Sequence, residues 1–206
     1  MAPMSATAPL PLSDHRRRLL DAMAACVASQ GYPDTTIADI AARARVSKRT
    51  FYEHFGSKAD CLVALYRTAS AEALDVLRQA IDPARPWQEQ VEQALGAYLR
   101  VLAANPVLLR TLFIEILGLG EIGLKARREV VRDIADFIAR TVAGAGDAAV
   151  VTPWPHLHQT AVGVIGAINE LVLEAIENDR VDRLPELTTA AARWVRALFE
   201  AGRPAG

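Results

Sequence analysis

Lys48, Arg49, Tyr52, His54 and Lys58 fall within eleven residues, in the stretch VSKRTFYEHFGSK from Val46 to Lys58. Cations and hydroxyls at this density suit the holding of a polyanion. Lysine and arginine donate to phosphate oxygens and to guanine O6 and N7, and tyrosine and threonine hydroxyls reach phosphate. Bond-breaking chemistry has no comparable signal. The sequence carries no phosphate-binding glycine loop, no G-x-S-x-G, no H-E-x-x-H and no paired-cysteine metal spacing, so it is read as a non-enzyme with no catalytic residue and no cofactor. His156 and His158, two apart, fall on nearly opposite sides of a helix, which argues against a metal site.

The elements that position these side chains are helices. A first helix opens at Ser13, with Leu19, Leu20, Met23 and Val27 on its apolar stripe, and stops near Gly31 in the breaker run GYPDT. Thr36 caps a short helix, IADIAARA, with Ile37, Ile40 and Ala41 on one face. After a tight turn Ser47 caps another, ending near Phe55. Two short helices joined in this way are a helix-turn-helix candidate. Val46 and Phe51 have the spacing that clips a helix entrance, and Phe51 and Phe55 share the inward face. Arg49, Thr50, Tyr52 and Glu53 then face outward, and Lys48 and Arg49 lie at the helix start, where a recognition helix meets base edges. Glu53 points to solvent, pairs with a cation, or accepts from cytosine N4. Lys58 lies in the first turn of the next helix, where free N–H groups favour a phosphate. His54 is either a surface histidine bonded to a neighbour or a phosphate donor.

Composition agrees with an all-α chain: hydrophobic residues make up 51% and aromatic residues 6% of 206, and the apolar content is mainly Ala, Leu, Val and Ile. The net charge of −1 excludes a globally basic nucleic-acid coat, but the charge is uneven. From Ser13 to Lys58 eight cations face five anions, leaving fifteen cations against nineteen anions elsewhere. A basic head on an acidic body is expected when only the head meets a polyanion. Cys26 and Cys61 are too few for a disulfide framework and read as buried thiols in a reducing cytoplasm. Residues 1–12, with three prolines and no charge, read as a disordered tail rather than a signal peptide. The most apolar run, AVGVIGAINELVLEAIE, is interrupted by Asn169, Glu170 and Glu174, so no membrane span and a cytoplasmic location are expected.

Further helices are predicted from Ser57 to the breaker run DPARP, over Trp87 to Ala104, Pro106 to Leu117, Leu124 to Ala143, His156 to Asn178, and Pro185 to Ala201. The stretch GAGDAAVVTPWP reads as a loop.

The segment TTIADIAARARVSKRTFYEHFGSKADCLVALY, Thr35 to Tyr66, resembles the DNA-binding signature of the TetR family of bacterial transcriptional regulators. The resemblance implies about nine helices, with a three-helix helix-turn-helix domain over residues 13–56 and a ligand-binding and dimerisation domain over 57–206. It implies base contacts from Ser47, Lys48 and Arg49, and backbone contacts from Thr36, Thr50, Tyr52, His54 and Lys58. Arg45 departs from the glycine common in the family's turn. A left-handed arginine there costs roughly 1 kcal/mol, and its guanidinium gains reach toward a phosphate.

One helix pair reads few base pairs, so specific binding to a palindromic DNA operator calls for a homodimer. Gly163, Gly166 and Ala167 allow close helix approach, and Leu187, Trp194, Val195 and Leu198 make a stripe on the last helix. These residues either close the monomer core or, as the resemblance implies, build a four-helix dimer interface. The resemblance also implies a repressor released by a small-molecule inducer. Tyr98, Phe113, Phe137 and Trp154 are the candidate cavity wall, with Glu115, His158 and Asn169 as polar anchors. The alternative reading is a helical small-molecule-binding protein whose DNA-binding role is lost or secondary.

Overall fold

Alanine, leucine and long polar side chains favour helix, and the described residues, 12–144 and 156–201 of a computed structural model, fold as α-helices joined by short turns with no strand among them. The chain divides into two compact units between Leu65 and Tyr66. The expected tail lies outside the described residues except for Leu12, which belongs to the first helix. Residues 145–155 of the stretch expected as a loop, including Trp154, also lie outside them.

The first unit holds α1 (Leu12–Asp34), α2 (Ile37–Ala44), α3 (Lys48–His54) and the start of α4 (Lys58–Gln79). The regular part of α1 ends at Gly31, whose φ of 79° and ψ of 163° suit a residue without Cβ. Leu19, Met23, Ile40, Phe51 and Leu62 are fully buried in this unit. Burying a Phe51-sized side chain stabilises by about 1.5–3 kcal/mol, which helps hold a seven-residue helix that would not form alone.

The second unit begins at Tyr66, within α4, and continues through α5 (Trp87–Ala104), α6 (Pro106–Arg110), α7 (Glu121–Gly144), α8 (Leu157–Glu177) and α9 (Thr188–Ala201). The helix expected over Pro106 to Leu117 is irregular: α6 runs on into a π-helical turn, Thr111–Glu115, and a 3₁₀ turn, Leu117–Leu119. The helix expected from Pro185 begins instead at Thr188, because Pro185 lies inside a 3₁₀ segment, Val181–Leu187. α5 packs against α9, and α8 lies between α7 and α9. Leu99, Leu109, Val172 and Leu184 form one buried cluster, and Ala135, Ala161, Val164, Val195 and Phe199 another.

α8 corrects one sequence expectation. It is 21 residues long with a mean hydropathy of 1.3 over its most apolar window, long and apolar enough to cross a membrane by length and composition. The helix carries three glutamates, Glu170, Glu174 and Glu177, and its most apolar window still reaches that mean. Here it packs in a bundle: Val164, Ile165, Ile168 and Val172 are buried, while Val162, Gly163, Gly166 and Ala167 are exposed.

Candidate functional site

The turn between α2 and α3 fixes the first candidate site. Thr36 caps α2 in a reciprocal arrangement: its Oγ1 accepts from the Asp39 N–H at 3.2 Å, and the Asp39 carboxylate accepts from the Thr36 N–H at 2.9 Å. The Thr36 hydroxyl, followed by its backbone N–H, holds the Asp39 carboxyl below its usual value. At the other end of α2, Arg45 adopts φ 55°, ψ 47°, the left-handed conformation. Its N–H reaches the Ala42 carbonyl at 3.0 Å, and the Val46 N–H reaches that of Ala41 at 3.0 Å, the two bonds of a Schellman stop. Arg18, on α1, donates to the carbonyls of Ala44 and Arg45 and ties this turn to the first helix.

Ser47 then starts α3. Its Oγ accepts from the Thr50 N–H at 3.0 Å and lies 3.0 Å from the Thr50 hydroxyl. Phe51 and Phe55 are buried with ring centroids 5.7 Å apart, and Tyr52 stands edge-on to Phe51 with 57% of its surface exposed. Lys48 is exposed, and the Arg49 side chain is 90% exposed. Glu53 takes one of its three options: its carboxylate accepts from Arg49 Nε at 3.3 Å. Such an exposed pair contributes about 0–1 kcal/mol and opens readily, which leaves Arg49 free to turn to another acceptor.

Two expected phosphate donors are placed otherwise. Lys58 Nζ donates to the carbonyls of Tyr32 at 2.8 Å, Thr35 at 2.7 Å and Pro33 at 3.2 Å, and sits 4.2 Å from the Tyr32 ring centroid. An ammonium has three donors, and all three are engaged. The reason is local: the breaker run after Gly31 ends the regular bonding of α1, and a lysine opposite its last carbonyls adds to their bonding. The start of α4 is likewise closed, since Ser57 Oγ accepts from the Asp60 N–H at 3.0 Å. His54 Nε2 is buried without a hydrogen-bond partner among the described residues, and the ring lies 6.4 Å from that of His15. Its position in the last turn of α3 directs it toward α1.

The second candidate site is a cavity of about 180 Å³ within the second unit. Tyr98, Phe113, Phe137 and Asn169, four of the expected pocket residues, line it. Glu115 and His158 are engaged elsewhere: Glu115 lies 3.6 Å from Arg110 Nε, and His158 Nδ1 lies 3.0 Å from Asp136. Sequence reasoning missed Tyr66, Ser70 and Arg127, which also line the cavity. Each carried a signal. Tyr66 and Ser70 are polar groups four apart on the apolar stripe of α4, and Arg127 stands four residues before Val131 on that of α7. Burial pushes the Tyr98 hydroxyl well above its ordinary pKa, with the Tyr66 phenol adding to the effect. Burial also raises Tyr66, while the charge of Arg127 and a hydrogen bond with Ser70 act the other way.

Residues 19–65 match the family model of the bacterial regulatory proteins, tetR family. The uncharacterized HTH-type transcriptional regulator YxbF of Bacillus subtilis (strain 168) is 31% identical over 78 residues, 38% of this chain and 20% of that protein. The chain thus spans only about a fifth of this relative's length. The fatty acid degradation regulator FadR from Bacillus halodurans has a TM-score of 0.78 at 18% identity, over 92% of this chain and 96% of that one. FadR from Bacillus subtilis, solved in complex with stearoyl-CoA, has a TM-score of 0.74 at 17% identity, over 87% of this chain and 96% of that one. At these identities the likeness is one of fold.

Proposed function

We propose a function for a chain that belongs to the TetR family of bacterial regulatory proteins: it is a transcriptional regulator that binds an operator as a homodimer and is released by a small molecule. The observation that carries this reading is the two-faced character of α3. Phe51 and Phe55 are buried on one side, while Lys48, Arg49 and Tyr52 are exposed, on a helix whose start is fixed by Ser47 and by the Schellman stop before it. A rigid helix that presents cations and a phenol from its N-terminal end suits the major groove. Lys48 and Arg49 read base edges, with Ser47 beside them. Thr36, Arg45, Thr50 and Tyr52 hold the backbone.

Dimerisation is supported by the outward faces of α8 and α9. Val162, Trp194 and Leu198 are exposed, and among the described residues nothing beyond the helix's own turns lies within 4 Å of where a Cβ would stand on Gly163 or Gly166. A second copy of the chain covers this face. The cavity supports an effector site, and a FadR structure of the same fold carries stearoyl-CoA. α4 supplies Lys58 to the first unit and Tyr66 and Ser70 to the second. An effector that prefers one arrangement of α4 therefore shifts the population able to engage both half-sites. The protein acts in the cytoplasm, as a repressor and not as an enzyme.

Fluorescence anisotropy on DNA from upstream of its own coding sequence, with a scrambled duplex and a salt titration, tests this reading. Selective, salt-sensitive binding that Arg49→Ala makes less selective is the expected result. Equal weak binding to both duplexes, extended across a random-sequence selection, sinks the operator reading and leaves a ligand-binding helical protein.

A further inference from the structure

We propose, resting on the cavity as the effector site, that the effector is a small amphipathic acid, its apolar body in the cavity and its carboxylate on Arg127. Arg127 is the single charged residue among the described residues that line the cavity, and no aspartate or glutamate lines it. Neighbouring arginines have partners: Arg67 pairs with Glu129, and Arg78 with Asp75 at 2.8 Å. Arg127, half-buried, has no ion pair or hydrogen bond among the described residues. A guanidinium is always charged, and withdrawing it partly from water without a counter-ion costs free energy that a ligand's anion offsets.

The groups around it fit an anionic head. Tyr66, Ser70, Tyr98 and Arg127 all line the cavity, and the charge of Arg127 acts on the Tyr66 phenol, which acts on that of Tyr98 in turn. Three hydroxyls and a guanidinium in one cavity lining supply donors enough for both oxygens of a carboxylate. The rest of the wall, including Leu74, Leu77, Ile134 and Phe137, is apolar. Leu117 lines the cavity and is also exposed.

Volume narrows the body. At about 180 Å³ the cavity is slightly larger than the ~150 Å³ engineered cavity that holds benzene, and it falls below the 300–1,000 Å³ of drug-sized sites. A single ring or a short alkyl chain fits, and a coenzyme's several phosphates would find only one guanidinium.

Isothermal titration calorimetry of the full chain with octanoate, octanol and octanoyl-CoA tests the assignment, on the wild type and on Arg127→Met and Arg127→Lys. The wild type should bind octanoate at least tenfold tighter than octanol. Arg127→Met should abolish that preference without weakening octanol, and Arg127→Lys should restore part of it. Equal binding of octanoate and octanol by the wild type, or a preference that survives in Arg127→Met, overturns the head-group assignment and leaves the cavity reading standing. Tighter binding of octanoyl-CoA than of octanoate overturns the free acid as ligand. Binding of none of the three by the wild type overturns the proposal and the effector-site reading together. If Arg127→Met fails to fold by circular dichroism, the wild-type preference and Arg127→Lys decide the matter.

Discussion

Lys58 Nζ lies 2.7 Å from the carbonyl oxygen of Thr35, a residue 23 positions earlier that is itself fully buried. With its bonds to Tyr32 and Pro33, the ammonium joins the frayed end of α1 to the first turn of α4. Lys58→Met should therefore destabilise the first unit by about 1–3 kcal/mol, the range for charge-assisted hydrogen bonds lost from partly buried acceptors. The salt slope of DNA binding should hardly change. Urea melts and a salt titration separate the two roles: an unaltered melt with a slope reduced by about one would return Lys58 to the phosphate contacts.

Arg45 occupies the left-handed position that ends α2, at φ 55°. Arg45→Gly should relieve that strain and stabilise by roughly 0.5–1 kcal/mol, the larger unfolded-state freedom of glycine taking back part of the gain. Loss of the cation should weaken binding to all duplexes alike and lower the salt slope by about one. A less stable variant would show that the guanidinium contributes more to the fold than its exposure suggests.

Trp194 and Leu198 are exposed on α9, one turn apart. Trp194→Glu should yield a monomer by light scattering, with operator affinity reduced at least tenfold because the second half-site is lost. An exposed substitution should leave the monomer's own packing within about 0.5 kcal/mol of the parent. A variant that remains dimeric would move the interface off this face.

Cys61 is fully buried, and burial pushes its thiol up to about 12 against the opposing charge of Arg16. The folded value lies above the unfolded one. The thiol's contribution is therefore complete below the ordinary cysteine pKa of 9.0 and is lost as pH rises toward 12. Stability should fall above about pH 9 by up to about 1.4 kcal/mol per pH unit, and Cys61→Ala should flatten that limb. Iodoacetamide should label the thiol only on unfolding. Rapid labelling of the native protein would contradict its burial.

Asp39 gives the acid-side counterpart. Its carboxyl is held low, first by the Thr36 hydroxyl and then by the Thr36 N–H. Its contribution is present above the unfolded carboxylate value of 3.8 and is lost as pH falls below it. Asp39→Asn should lower stability at neutral pH and remove part of the acid sensitivity, as read from melts between about pH 3 and 7. An unchanged acid limb would show that the capping box is not formed in solution.

The sequence by itself determined the order of the helices, the caps and the two-faced character of α3, though not where the helices after Pro106 and Pro185 become regular. Those features depend on spacing along one element: Thr36 and Asp39 are three apart, Phe51 and Phe55 four apart, and the left-handed demand falls on Arg45 because a helix stops there. Tertiary structure alone decided what the long-range partners do. Lys58 has the same sequence context whether it meets a phosphate or the carbonyls of Tyr32, Pro33 and Thr35, and only the packing of α1 beside the start of α4 brings those carbonyls to 2.7–3.2 Å from it. His54 turned inward for the same reason. The cavity wall was half legible: Tyr98, Phe113, Phe137 and Asn169, expected as wall and polar anchor, line the cavity. Glu115 and His158 found partners in Arg110 and Asp136, while Tyr66, Ser70 and Arg127 converged from helices far apart in the chain. Helical periodicity records which face of one helix is buried, but the identity of what lies opposite is fixed only when separate helices pack.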